Sequence, residues 1–493
     1  MESTPLRRDT LDRLRPPVRR PGFDPAGVTP GIVHLGVGGF HRAHMARYTQ
    51  EVMEARPDRR EWGIVGAGLL TGDKRMAEAL QPQDGLYTLV ERAADGETVQ
   101  VVGSIVRVLW AAEDPTAVMA AIDDDGCRIV SLTVTEHGYC LNRSTKKLDP
   151  EHPQIKADLA DPERPHSAPG IIVEGYRRRM VRGGKAFTAL TCDNIQHNGN
   201  VLREAVLFIA GQRDPALRAW IEQHASFPNT MVDRITPVLQ AGQREYLQET
   251  YGVEDNWPVF CERFTQWVIE DRFVDGRPEW EAVGAQFVPD VTPYEFMKLR
   301  LLNGSHLAVS GLGRLCGYEF IDESMRDPLI ERMMAALMDR ETGPTLMPVE
   351  GIDLAAYKRT LVERFANPGI KDTVERVNTD APLNVLVDPI RDRLKQGGSV
   401  DILGLALAAW MRRIRGEDED GNPIEIRHPM AELLKQKAIE GGSDPRPLLG
   451  ITVLFGELGE SEELVRVLGR WLGSLYERGA KETLRQAAEE IGF

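Results

Sequence analysis

Strand-length apolar runs alternate with helical stretches up to about residue 290, and beyond it the pattern is helical almost throughout. Residues 32–35, 62–65, 86–90, 128–134 and 186–191 are rich in Val, Ile, Leu or Thr and have the length of single strands. Between them, 41–55, 114–122 and 201–212 read as helices. Residues 99–102 follow the turn-like pair Asp95-Gly96 and are expected to form a hairpin with the run before them. Strands alternating with helices in this way predict a mostly parallel sheet with crossover helices. From Thr292-Pro293, an N-cap followed by a helix-compatible proline, the spacing turns to the 3.6-residue period, as at 353–365, 401–415, 460–475 and 481–491. The expected division is an α/β domain over 1–290 and an all-α domain over 291–493.

Composition narrows the partners. The 493 residues carry a formal charge of −15, which disfavours nucleic acid or an anionic membrane as a partner, since both require clustered Lys and Arg. The first twenty residues hold six arginines but no apolar core of a signal peptide. The apolar run 402–411 is about half of what a bilayer span needs. Cysteines at 127, 140, 192, 261 and 316 are odd in number and form no Cys-x-x-Cys. A disulfide framework or structural zinc site is therefore not expected, and a cytoplasmic protein is.

Gly36-Val37-Gly38-Gly39-Phe40-His41-Arg42 follows the first strand and opens a helix. In that context glycines let the backbone approach a pyrophosphate, and the N–H groups of the helix start favour its charge. This makes the N-terminal domain Rossmann-type, with Gly36 to Arg42 as candidate cofactor contacts. His41 stands where a third glycine would be, and the same segment also fits a plain tight turn. Asp73 is the first acidic candidate for the ribose diol of NAD, although later than the usual spacing. Lys74 and Arg75 adjoin it and would suit a 2′-phosphate, so NADP stays open beside NAD.

The segment 294–306, Tyr-Glu-Phe-Met-Lys-Leu-Arg-Leu-Leu-Asn-Gly-Ser-His, sits at the domain boundary. On an α-helix Asn303 lies about 140° and His306 about 80° from Lys298, so the three share one side among leucines. Buried polar groups need partners. Desolvation favours a neutral lysine, which can take a hydroxyl proton as hydride leaves the carbon. An asparagine amide can stabilise an alkoxide, and a histidine can hold a neighbouring hydroxyl. A surface lysine beside two satisfied core residues fits the spacing equally well. Tyr294-x-x-x-Lys298 mimics the tyrosine/lysine pair of short-chain reductases, but lies far too distant from the glycine turn. Glu136-His137 with Cys140, and Glu151-His152, lack a convincing zinc ligand set, so no metal is expected.

These residues resemble the polyol-specific long-chain dehydrogenases, and the resemblance runs over essentially the whole chain. It rests on the glycine segment 36–44, on 131–136, on Cys192-Asp193-Asn194-Ile195-Gln196-His197-Asn198-Gly199, on 227–237 and on 298–306. It implies a Rossmann-type domain followed by a helical one, and metal-independent interconversion of a sugar alcohol and its ketose, D-mannitol and D-fructose first. It further implies Lys298 as catalytic base, with Asn194 and Asn303 forming the pocket for the oxyanion. His306, Asp233 and Arg376 would bind substrate, and Glu295 would relay the proton to solvent. His41 would then be the family's own variant of the third glycine.

One departure bears on the substrate. Relatives often carry a lysine shortly after the arginine equivalent to Arg376, whereas here Asn378-Thr379-Asp380-Ala381-Pro382-Leu383-Asn384 has none. D-arabinitol 4-dehydrogenase and fructuronate reductase activities therefore stay open, as does a dinucleotide-binding sensor without turnover. Apart from the resemblance, Asp233 reads equally as a salt-bridge partner near Arg234, and Asp193 as a turn or cap residue.

Overall fold

The computed structural model describes residues 3–142, 147–377, 379 and 381–493. The chain divides into two compact units, Met1–Thr292 and Pro293–Phe493.

In the first unit a parallel sheet is built from β1 (Pro30–Leu35), β2 (Gly63–Gly68), β3 (Ile105–Trp110), β4 (Ile129–Leu132) and β5 (Thr188–Thr191), in the order β3-β2-β1-β4-β5. β1, β2, β4 and β5 are buried nearly throughout, which is why they read as unbroken apolar runs. Val33 and Leu35 pack on one face of the sheet and Ile32 on the other, as strand alternation requires. The strand order reverses between β1 and β4, so the carboxyl ends of these two strands flank a topological switch point.

Two features depart from the sequence reading. The hairpin forms as expected, Tyr87–Ala93 against Gly96–Val102, but it pairs with Val259–Glu262 in a separate sheet. Its place in the parallel sheet is taken by β3, an edge strand whose Arg107 is exposed and interrupts the apolar run. The helix expected over 41–55 is divided into α1 (Gly39–Ala43) and α2 (Met45–Ala55). The break falls at His44, whose backbone leaves the helical region (φ −118°, ψ −95°) and whose Nε2 donates to the Gln266 carbonyl at 3.0 Å.

Helices α3 (Pro115–Asp123), α4 (Ala168–Arg182) and α5 (Asn198–Arg213) cover the Val33/Leu35 face. The second unit is helical, and α6 (Thr292–Met297) leads through residues Lys298–Asn303 into α7 (Gly304–Leu315). Its central helix α8 (Asp401–Ile414) is buried along almost its whole length, and contains the apolar run 402–411. Against it lies α9 (Glu462–Arg478): a Cβ on Gly404 would stand 2.4 Å from Val467 Cγ1. Trp471 is fully buried there and donates its Nε1 proton to the Asp401 carbonyl at 2.9 Å. Trp471→Ala is expected to destabilise the unit by about 3–5 kcal/mol in urea unfolding, and a loss below about 1 kcal/mol would contradict this packing. Among the described residues no helix is long and apolar enough to cross a membrane.

Candidate active site

The turn after β1 is shaped by one backbone requirement. Gly36 has φ +91°, and a Cβ there would lie 2.2 Å from the Thr133 carbonyl oxygen at the end of β4. Only glycine satisfies both conditions. Gly38 and Gly39 differ, because a Cβ on Gly38 would meet nothing within 4 Å. Their missing side chains leave the backbone open to a cavity of about 700 Å³, lined by Gly36, Val37, Gly38, Gly39, Phe40, Arg42 and Asp73 among others. A side chain on Gly38 would project into that open space. Helix α1 starts here, with first-turn N–H groups that lack intrahelical partners. The open cradle and the free N–H groups fit a dinucleotide pyrophosphate. Gly36→Ala is expected to lower stability by about 2–4 kcal/mol from backbone strain and overlap, read by thermal and urea unfolding. A variant within about 0.5 kcal/mol of wild type would contradict the geometry of the turn.

His41 departs from the expectation that it faces a cofactor. It is fully buried, does not line the cavity, and stacks on His34 with ring centroids 3.4 Å apart. His34 Nε2 donates to the Gly36 carbonyl at 3.1 Å and to Thr133 Oγ1 at 3.0 Å, while Nδ1 accepts from Ser131 Oγ at 2.8 Å. Burial pulls His34 down to about 3 and holds His41 well below its ordinary value, so the stacked pair is neutral. The third-glycine position thus supports the turn from beneath. Arg42 is also buried, lies over the Trp257 and Tyr87 rings and donates to the Trp257 carbonyl.

Asp73 lines the cavity with one carboxylate oxygen engaged, accepting from the Leu69 and Leu70 N–H groups at 2.8 and 2.9 Å. Arg75 also lines it, whereas Lys74 pairs with Glu78 at 3.2 Å on the exposed side of its helix.

Asn194 is exposed in the turn between β5 and α5. That turn is anchored by Asn198, whose Nδ2 donates to the Asp193 carbonyl at 2.9 Å and to the Thr230 carbonyl at 3.0 Å. Asp233 ends the buried strand β6 (Thr230–Asp233) and lies in the electrostatic surroundings of His44. Arg234 beside it is committed to Glu91 and to the Glu262 and Ala43 carbonyls.

In the second unit Lys298, 7% exposed, opens a π-turn that runs to Asn303. The α-helical angles taken from the sequence do not apply there. With i→i+5 bonding and roughly 82° per residue, Asn303 comes to about 50° and His306 to about 10° from Lys298. On the helical wheel the three therefore fall within about 60° of one another, against about 140° on a regular helix. Arg300 turns away, binding the Thr345 carbonyl and Asp392. Glu295, 4% exposed, lies on α6 one turn before Lys298.

His306 is buried, packs on the Phe365 ring at 4.9 Å and places Nε2 3.4 Å from Asp372 Oδ2. Desolvation lowers its pKa, only partly opposed by Asp372, so it is neutral at pH 7. Asp372 is itself buried, yet the nearby His306 ring and the hydrogen-bonded Arg376 hold its carboxyl well below the usual carboxylate range. Arg376 grips it with Nε and Nη2 and is half-exposed. His306 and Arg376 are thus joined through a residue that sequence spacing does not single out. Two residues of the lysine-free segment after Arg376, Asn378 and Asp380, lie outside the described residues.

Residues 30–282 match the model of the mannitol dehydrogenase Rossmann domain, and 290–475 that of the mannitol dehydrogenase C-terminal domain. The chain is 43% identical over 474 residues to the D-mannonate oxidoreductase of Escherichia coli, covering 94% of this chain and 97% of the relative. It is 40% identical over 495 residues to a mannitol dehydrogenase of Saccharomyces cerevisiae, covering 99% and 98%. Among solved structures, Pseudomonas fluorescens mannitol 2-dehydrogenase in ternary complex with NAD and D-mannitol is similar with a TM-score of 0.88 and 41% identity, covering 99% and 100%.

Proposed function

Since the chain belongs to the mannitol dehydrogenase family, we propose that it is an NAD-dependent oxidoreductase interconverting a sugar alcohol and its ketose, D-mannitol and D-fructose. The observation that carries this reading is the buried Lys298, set on one face with Asn303 and His306 by the π-turn. The nicotinamide, when bound, supplies the hydride acceptor for alcohol oxidation and the donor for ketose reduction. Lys298 takes the hydroxyl proton in oxidation and returns it in reduction. Glu295, one helical turn away, passes that proton towards solvent.

The amides of Asn194 and Asn303 donate to the oxygen as it gains negative charge, where a preorganised donor acts most strongly. His306, held neutral and braced by Asp372, contacts a neighbouring substrate hydroxyl. Arg376 and Asp233 engage the rest of the polyol chain. Asp73, on the cavity wall, is the residue proposed to bind the ribose diol of NAD, and its negative charge would repel a 2′-phosphate.

The identity to a D-mannonate oxidoreductase favours a second reading, with a sugar acid and its keto acid as the reacting pair. NADH consumption is to be followed with D-fructose, D-xylulose and D-fructuronate. The highest kcat/KM is expected with D-fructose. A preference of more than about tenfold for fructuronate, roughly 1.4 kcal/mol in transition-state binding, would select the second reading. No turnover with any of them, alongside NADH binding, would leave a dinucleotide-binding protein without catalysis.

A further inference from the structure

Asp193 is 6% exposed and immediately precedes Asn194. Its carboxylate accepts from three donors: the Thr135 N–H on Oδ1 at 2.8 Å, and the Val134 N–H and Tyr139 hydroxyl on Oδ2 at 3.1 and 2.8 Å. Thr135 is held at φ +60°, where a β-branched residue is a genuine outlier. Thr133, Val134 and Thr135 all line the cavity that contains the glycine turn. Thr133 Oγ1 also donates to the Gly36 carbonyl at 2.7 Å. The side chain of Asp193 thus ends on the wall of the cofactor cavity, while its backbone starts the Asn194 turn. Burying a carboxylate costs free energy unless it is hydrogen-bonded, and these three donors meet that requirement.

We infer that Asp193 is a positioning residue that sets the cofactor-facing backbone at 134–135 and the Asn194 amide together. This rests on the reading of Asn194 as a donor to the reacting oxygen. In Asp193→Asn a single oxygen replaces two, so one of the two backbone N–H groups loses its acceptor. NADH affinity, followed by nicotinamide fluorescence, and ketose reduction are to be measured on the same preparation. The Kd for NADH is expected to rise about tenfold and kcat to fall at least as far, the equivalent of one unsatisfied buried N–H. Asn194→Ala is expected to lower kcat with the NADH Kd within about twofold of wild type, since it leaves the wall intact.

A loss of folded protein would lower apparent kcat but leave Kd unmoved, so the pair of readouts separates positioning from stability. An unchanged Kd in Asp193→Asn overturns the inference, whatever happens to kcat. Should that variant fail to fold, Tyr139→Phe removes one donor alone and is expected to raise the NADH Kd about threefold, within the range of one hydrogen bond. An unchanged Kd there also overturns it. If wild type binds NADH but reduces no ketose or keto acid, the catalytic reading falls while the Kd comparison still judges Asp193. A chain that binds neither NADH nor NADPH overturns both.

Discussion

Lys298→Ala is expected to lower kcat for ketose reduction and polyol oxidation by about 10³–10⁴-fold while leaving the NADH Kd within about twofold of wild type. The upper part of the range for acid–base catalysis applies because Lys298 is buried and carried on the same face as Asn303 and His306. On the proposed role, its removal takes away the proton acceptor in a place that bulk water reaches poorly. Lys298→Arg is expected to fare no better, since a guanidinium does not deprotonate in proteins. Small primary amines added to Lys298→Ala are expected to restore part of the rate. The pH dependence has opposite signs in the two directions. Oxidation requires the neutral amine and rises with pH, whereas reduction requires the ammonium and falls. Activity of Lys298→Ala within about tenfold of wild type would remove the lysine from the mechanism, because general-base loss alone exceeds that.

Acid should unfold the N-terminal unit steeply, because three histidines are buried without charge around its glycine turn. His34 and His44 are each held down to about 3, and His41 well below its ordinary value, chiefly by desolvation. Once unfolded, all three return to about 6.5. The unfolded state therefore binds more protons as pH falls below that value, and stability is lost from there down towards the folded-state values. Three protons taken up on unfolding correspond to a slope of roughly 4 kcal/mol per pH unit over much of that window. Urea midpoints followed by tryptophan fluorescence at pH 7.5, 6.0 and 5.0 are expected to fall accordingly. Trp267, 5.4 Å from His44, reports on the region directly. Midpoints flat between pH 7.5 and 5.0 would contradict neutral burial of the cluster.

The parts of the fold legible in the sequence are those governed by local pattern. β1, β2, β4 and β5 are buried on both faces, so each shows as an apolar run, and Gly36 is demanded by a backbone angle that only its own position sets. β3 is not legible in this way, because an edge strand with the exposed Arg107 lacks that run. The break at His44 depends on a carbonyl at Gln266, more than two hundred residues away. The π-turn has no periodic signature either, since one extra residue shifts the phase without changing composition. In the same way, Asp372 and Asp193 acquire meaning only from what they touch. Asp372 meets His306, and Asp193 meets the backbone at 134–135, contacts that cross more than fifty residues of sequence. Lys298, Asn303 and His306 are legible as a group, but the π-turn that changes their angular spacing is not.

Direct hydride transfer between a polyol carbon and nicotinamide is the central claim, and isotope transfer tests it most directly. The protein is to be incubated with NAD and D-mannitol or D-mannonate deuterated at every carbinol carbon, with a chelator present. The NADH formed is then analysed by mass spectrometry. The expected result is one deuterium on the nicotinamide ring from at least one of the two substrates, with the chelator having no effect. NADH formed without deuterium, or no NADH from either substrate, would contradict it.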